Sequence, residues 1–377
     1  MNTRLITTEE ELVSYKDSWN YLVRENPETN VPFFSWNWFY RAWLHFGKPA
    51  GQQLAVVIVE DGEQLVGLLP LVFGSKKSTG ITYRTLGFCN VGIIPRNTAY
   101  WLQERDTGSV FQAITHQIFA VKQKWDVLEL TNIPQTTLFH NYWLQEHSGM
   151  AVIQTKGLSS PFVQLEGLTY DQYFSKYGNK DARRRVKRNT EQFTAENKRW
   201  EMKIFESVND IRQGIDLALA VRKESWKGAF RNEAYIRFYR ELFDELVYRQ
   251  EVLIPILMLD DIPIAAEFIT GCNDCYFLHT NDYDSRFRET SPGICLLHKV
   301  LITAFERHWK LFDFTGDDYD YKKDSKTGIR YHSTFQIFHT GFKSRFVYSA
   351  KTFLLPFIRK ILRKPEPDDF ITKMKWF

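Results

Sequence analysis

The residues best suited to chemistry lie between positions 265 and 325 of the chain. Glu267 sits inside an apolar run, Ala265-Ala266-Glu267-Phe268-Ile269. Buried there, its carboxyl would hold a proton more tightly than in water, which suits a general base; a paired structural carboxylate is the alternative. His279 lies in the next strand-like run, Tyr276-Phe277-Leu278-His279-Thr280, as a second candidate base or as a histidine held by hydrogen bonds. Asp313 ends a third run, Leu311-Phe312-Asp313, where a turn-forming role competes with catalysis. Tyr319 and Tyr321 follow in a polar loop, and either phenol could act as an acid. A base for an acceptor's proton and an acid for a leaving atom are what acyl transfer to an amine or hydroxyl requires.

Just upstream of Asp313 is a segment suited to anions, Arg286-Phe287-Arg288-Glu289-Thr290-Ser291-Pro292-Gly293. Ser291 fits an N-cap and Pro292 the first helical position. Ile294, Leu297, Val300, Leu301, Ala304 and Phe305 form the buried stripe that follows. The N–H groups and dipole of a helix start suit a pyrophosphate, and Gly293 would let a ligand approach the backbone. Arg286, Arg288, Thr290, Ser291, Pro292 and Gly293 are therefore the expected donor contacts; a capped helix with solvated arginines is the alternative. A second basic feature comprises Lys180, Arg183, Arg184, Arg185, Lys187, Arg188, Lys198 and Arg199. It is a solvated face or a surface for a phosphate-bearing partner such as CoA, a nucleotide sugar, an anionic glycan or tRNA. The run lacks interleaved aromatics, which argues against single-strand base stacking.

These residues must be positioned by elements, and the elements repeat. Residues 54–72 and 252–269 each read as strand, acidic turn, strand, the first with the Asp61-Gly62 hairpin signal. Each is preceded by two helical stretches, 8–25 with 35–46 and 208–226 with 233–249. Each is followed by an amphipathic helix, a tryptophan and a short strand: 109–124 then Trp125, and 292–308 then Trp309. The first copy holds extra residues, placed within 74–98. This order predicts two tandem α/β (α+β) domains, each a mixed, mainly antiparallel sheet flanked by helices. The expected domains are 1–150, 151–348 and a C-terminal helix and tail at 349–377.

Composition is that of a globular chain: 377 residues, 44% hydrophobic and 25% charged, with a net charge of +4 that points to neither nucleic acid nor membrane. The N-terminus has no apolar signal core, and no stretch approaches the roughly 18 apolar residues of a membrane span. With only four cysteines, the expectation is a cytoplasmic protein. Cys272 and Cys275 flank a two-residue turn, Asn273-Asp274, and read as cross-strand thiols rather than a redox or zinc motif; no metal is expected. The run from Ala350 to Arg363, apolar and basic, reads as a helix docked on the domain or lying on a membrane surface.

The segment from Arg288 to Gly293 resembles the R-x-x-G-x-G/A loop of GNAT acyltransferases, with Ser291 in place of the first glycine. The wider pattern resembles the CelD/BcsL-like acetyltransferases of cellulose and exopolysaccharide synthesis. It is carried by Ser160-Pro161-Phe162-Val163-Gln164-Leu165 with the basic helix, by Ser291-Pro292-Gly293, and by Phe312-Asp313-Phe314-Thr315-Gly316-Asp317 with Tyr321-Lys322. The resemblance covers residues 150–345 and implies a splayed sheet that takes acetyl-CoA or another acyl-CoA. Pantetheine would run along Phe277, Leu278 and His279, and pyrophosphate would meet Arg286 to Gly293. Trp226, Asp317, Tyr321 and Lys322 are the expected acceptor contacts. The first copy, with Asp106-Thr107-Gly108-Ser109 at the matching place, is expected to have lost the donor and to shape the acceptor site. The implied activity is acyl transfer from acyl-CoA in polysaccharide or surface-glycan synthesis, with a saccharide or amine acceptor. Two alternatives stand beside it: a tRNA-dependent aminoacyltransferase of the related Fem type, and a non-catalytic subunit of a glycan-synthesis complex.

Overall fold

The computed structural model describes residues 1–78, 80–89, 92–145, 150–225, 233–249, 251–319, 322, 325–354 and 370–371. The chain forms two compact units, Met1–Leu158 with Tyr331–Phe377, and Ser159–Arg330. In chain order the first holds β1 (Asn2–Ile6), α1 (Glu9–Ser14), α2 (Lys16–Arg24), α3 (Trp36–Ala42), β2 (Gln53–Leu54), β3 (Val56–Asp61), β4 (Gln64–Leu69), β5 (Leu71–Ser78), β6 (Ile81–Phe88), β7 (Tyr100–Trp101), α4 (Thr107–Ala120), β8 (Val127–Pro134) and α5 (Leu138–Leu144). Strand β9 (Ala151–Gln164) has residues in both units. The second continues with α6 (Tyr170–Tyr177), α7 (Lys180–Ala195), β10 (Trp200–Phe205), α8 (Ile211–Glu224), α9 (Glu233–Leu246), β11 (Val252–Leu259), β12 (Ile262–Cys272), β13 (Cys275–Tyr283), α10 (Pro292–Glu306) and β14 (Leu311–Asp313). Strand β15 (Gly328–Phe338) again has residues in both, and α11 (Phe342–Ser349) belongs to the first.

The repeat is real and longer than the sequence pattern shows. In the first unit β1 pairs antiparallel with β3, β3 with β4, and β5 with β6; β6 then runs parallel to β8 across helix α4. In the second, β10 pairs antiparallel with β11, β11 with β12, and β12 with β13; β13 runs parallel to β14 across helix α10. The second unit is thus one mixed, mainly antiparallel sheet flanked by helices, whereas the first divides the same strand order between two sheets. The strands that open each copy, β1 and β10, are additions to the predicted order. So is the closing strand of each. His332–Ile337 of β15 lie antiparallel to β8 in the first unit, and Phe162–Gln164 of β9 lie antiparallel to β14 in the second. The first copy is the irregular one: Pro70 separates β4 from β5, which belong to different sheets.

Local chemistry sets these elements. Asn273 and Asp274 both take positive φ, 49° and 61°, the geometry of a tight two-residue hairpin, so Cys272 and Cys275 face each other across β12 and β13 as free thiols. In the second unit, Leu296, Val300 and Leu301 of α10 pack on Leu257, Ala265 and Ile269 of the sheet. On the opposite face Tyr239 of α9 stacks on Phe268 with centroids 4.5 Å apart. The alternation along β12 therefore puts Glu267, between Ala265 and Ile269, on the α10 face.

Candidate active site

Strands β13 and β14 pair only through Cys275–Phe277 and Leu311–Asp313. Beyond Phe277 strand β13 continues for six residues to Tyr283, while β14 has ended, so the two part like a V. The Thr315 hydroxyl, donating to the Leu278 carbonyl, closes the vertex. Phe277 and Leu278 are buried in that vertex, each 2% exposed.

His279 stands one residue past the vertex. The register between β12 and β13 slips there: Ile269 faces Leu278 but Phe268 faces Thr280, leaving His279 as the extra residue of a bulge. Its Nε2 lies 2.7 Å from Thr270 Oγ1, which fixes the half-buried ring. The slip has a second effect. Counting outward from the turn would set Glu267 against Thr280; the extra residue brings Asn281 there instead. Asn281 Nδ2 donates to Glu267 Oε1 at 2.5 Å and to the Gly293 carbonyl at 3.1 Å. Glu267, fully buried, is thereby tied to the start of α10.

That helix start differs from the expected cap. Ser291 occupies the N-cap position in the left-handed region, φ 50° and ψ 52°, and its side chain does not cap. Its Oγ instead accepts from Arg185 Nη1 of α7 at 2.8 Å, and Asn189 of α7 donates to the Thr290 carbonyl at 2.8 Å. Gly293 also lets Asn281 approach: a Cβ there would lie 2.6 Å from Asn281 Oδ1. Arg286 is taken up by Asp284, to which it makes a forked ion pair. Arg288 is exposed and, like Arg188 of α7, makes no ion pair among the described residues. Burial raises the Cys295 thiol to about 11, against the Asn189 hydrogen bond and the pull of Lys299, Arg185 and Arg188. The N–H groups of Ser291, Ile294 and Cys295 are spent inside the turn and Pro292 has none, so it is the cations, Arg288, Arg185, Arg188 and Lys299, that fit a phosphate-bearing group.

The loop after β14 is built from within. Asp313, fully buried, pairs with Arg330 and accepts from Thr315 N at 2.8 Å. Lys322, 3% exposed, gives its ammonium protons to the carbonyls of Phe314, Thr315 and Asp317 at 2.9–3.1 Å. Asp317 accepts from Ser159 N at 3.1 Å, and Tyr319 is exposed beside the Lys322 ammonium. Trp226 and Tyr321 lie outside the described residues. The structure thus brings His279, Thr315, Asp313 and Lys322 to the vertex, and Glu267, Thr290–Gly293 and Arg288 to the helix start. Sequence reasoning missed Asn281, Thr315 and Arg330. It also missed the buried pair of Arg222 on α8 with Asp282 on β13, 3.2 Å apart under Tyr235 and Tyr239.

The matching place in the first unit is closed. Asp106 caps α4 with its own carboxylate, accepting from Ser109 N at 3.0 Å and from the Ser109 hydroxyl, contacts that lower its pKa. Where β6 and β8 part, Asn97 fills the opening: its N–H donates to the Asn132 carbonyl and its side chain to the Thr131 carbonyl, both at 3.1 Å. Asn97 belongs to the extra segment of this copy. A cleft of about 920 Å³ in this unit, lined by Trp43, Gln52, Phe73 and Arg84, lies on β2 and β5 instead. Among the described residues no cluster could hold a metal ion, and no helix is long and apolar enough to cross a membrane.

Residues 180–323, within the second unit, match the family profile of the acetyltransferase (GNAT) domain. No curated protein matches the chain. The fold is shared with FemX, at 11% identity over 89% of this chain and 97% of that one, TM-score 0.55. A conserved protein from Bacteroides thetaiotaomicron shares it at 10% identity over 90% and 100%, TM-score 0.53. So does the C-terminal domain of a putative lysylphosphatidylglycerol synthetase from Agrobacterium fabrum, at 11% identity over 92% and 98%, TM-score 0.52.

Proposed function

We propose that the chain is an acyltransferase that takes its acyl group from acyl-CoA at the second unit and passes it to an amine or hydroxyl acceptor. The observation that carries this reading is the contrast between the copies: the cationic start of α10 at the parted strands β13 and β14, and its counterpart closed by Asp106 and Asn97. A thioester donor would supply an activated acyl carbon. Arg288, Arg185 and Arg188 bind its phosphates. The edge of β13 beyond Phe277 orients its stem. His279, fixed by Thr270, takes the acceptor's proton, and exposed Tyr319 offers a proton to the departing sulfur. Glu267 holds Asn281 and through it the Gly293 turn, which makes it a positioning residue. Asp313 and Lys322 do the same for the loop that carries Thr315. A polysaccharide or surface-glycan acceptor, and a cytoplasmic location, remain part of this proposal on the resemblance alone.

A second reading has its own support. The exposed cations of α7, together with the fold shared with FemX and with a lysylphosphatidylglycerol synthetase domain, favour an aminoacyl donor carried on tRNA. Binding separates the two. Acetyl-CoA should raise the melting temperature of the purified protein, and aminoacyl-tRNA should not bind with a steep salt dependence. The reverse pattern would replace the first reading by the second.

A further inference from the structure

Helix α11 and the turn that continues it to Leu354 belong to the first unit and bury Ser344, Val347, Tyr348 and Ala350. Val347 and Tyr348 pack with Tyr83, Val127, Ile153 and Phe338. The other side carries three phenylalanines that the core does not use. Phe342, Phe346 and Phe353 are 89%, 51% and 59% exposed. Phe342 and Phe346, four residues apart, share one side of α11, and Phe353 is exposed on the wider π-type turn that follows. Single exposed apolar residues are ordinary, but three exposed rings on a helix and its continuation, with a satisfied inner face, are an interaction surface.

The surrounding charge says what kind. Lys343 and Arg345 flank the rings and are exposed, Lys343 lying 3.4 Å from the buried Asp126 carboxylate. From Ser325 to Pro365 the sequence contains no Asp or Glu and nine Lys or Arg. The residues directly after the described turn, Leu355 to Lys364, add Phe357, Ile358, Ile361 and Leu362 beside Arg359, Lys360, Arg363 and Lys364. Exposed rings in a stretch of sequence that is cationic and has no acids of its own are the composition of a helix lying in the interface of an anionic membrane. A second copy of the same surface would set cation against cation. We propose that the Phe342–Phe346–Phe353 surface docks the protein on anionic lipid bilayers. The rings enter the headgroup boundary, and the lysines and arginines meet the lipid phosphates.

The test is flotation of the full-length protein with vesicles of phosphatidylcholine alone and with about 30% phosphatidylglycerol. Binding should require the anionic lipid and weaken between about 0.05 and 0.5 M salt. The double variant Phe342→Ser/Phe346→Ser should lose binding by at least about tenfold while keeping the wild-type melting temperature, because both rings are already exposed. As an independent reading, a Phe342→Trp protein should shift its emission to the blue on adding the anionic vesicles. No binding to anionic vesicles, equal binding by the double variant, or a dimer in light scattering that the double variant dissolves would each overturn the proposal.

Discussion

At the residue scale the site turns on two side chains with different duties. His279 lies at the bulge where the strands part, and Glu267 is buried one strand away under Asn281. Replacing His279 by Ala should lower turnover by about 10²–10³ and leave the dissociation constant for acetyl-CoA unchanged. Equal losses in both would mean that the ring only shapes the strand. Glu267→Gln, whose amide oxygen still accepts from Asn281, should keep donor binding near wild type, whereas Glu267→Ala should weaken donor binding more than it slows the bound complex. Titration adds a stability prediction. Burial, with Arg183 and Lys299 nearby, holds His298 at about 4. Unfolded histidine titrates near 6.5, so between these values the unfolded chain binds the extra proton. The stability is therefore whole above about pH 6.5 and falls by up to about 3 kcal/mol as the pH drops toward 4. Urea denaturation at pH 7 and pH 5 should show the loss, and His298→Gln should reduce it.

At the element scale, the loop from Phe314 to Asp317 owes its form to one buried ammonium. Lys322→Met would leave the carbonyls of Phe314, Thr315 and Asp317 without it, and should cost about 3 kcal/mol or more. A denaturation midpoint unchanged from wild type would show that water replaces the lysine. This role was hidden in the sequence, where Lys322 is expected, on the resemblance, as an acceptor contact. The same limit applies to the β12–β13 hairpin. The Asn273-Asp274 turn and the facing cysteines are legible because turn chemistry is local. The bulge at His279 is not, because nothing in the residue types marks where a register slips, and so the pairing of Glu267 with Asn281 was invisible. Helix α10 shows a third case. Serine and proline before an apolar stripe locate its start correctly, but the left-handed Ser291 depends on Arg185 and Asn189 of α7, about a hundred residues earlier.

At the scale of the whole molecule the duplication was legible because hairpins, helices and the tryptophans after them recur in order. The closing strands were not, because each comes from a segment outside its own copy's run: β15 for the first unit and β9 for the second. Pairing across such distances leaves no periodic trace. The two copies nonetheless tell one functional story, since an opening present in the second is filled in the first by an aspartate and an asparagine. The account therefore requires a single donor site per chain, dependent on Arg288. Isothermal titration of acetyl-CoA into the full-length protein measures both properties at once. One molecule should bind per chain, and Arg288→Glu, exposed and free of ion pairs among the described residues, should weaken binding by at least about tenfold with the fold intact. No binding by the wild type, two sites per chain, or full affinity in Arg288→Glu would contradict it.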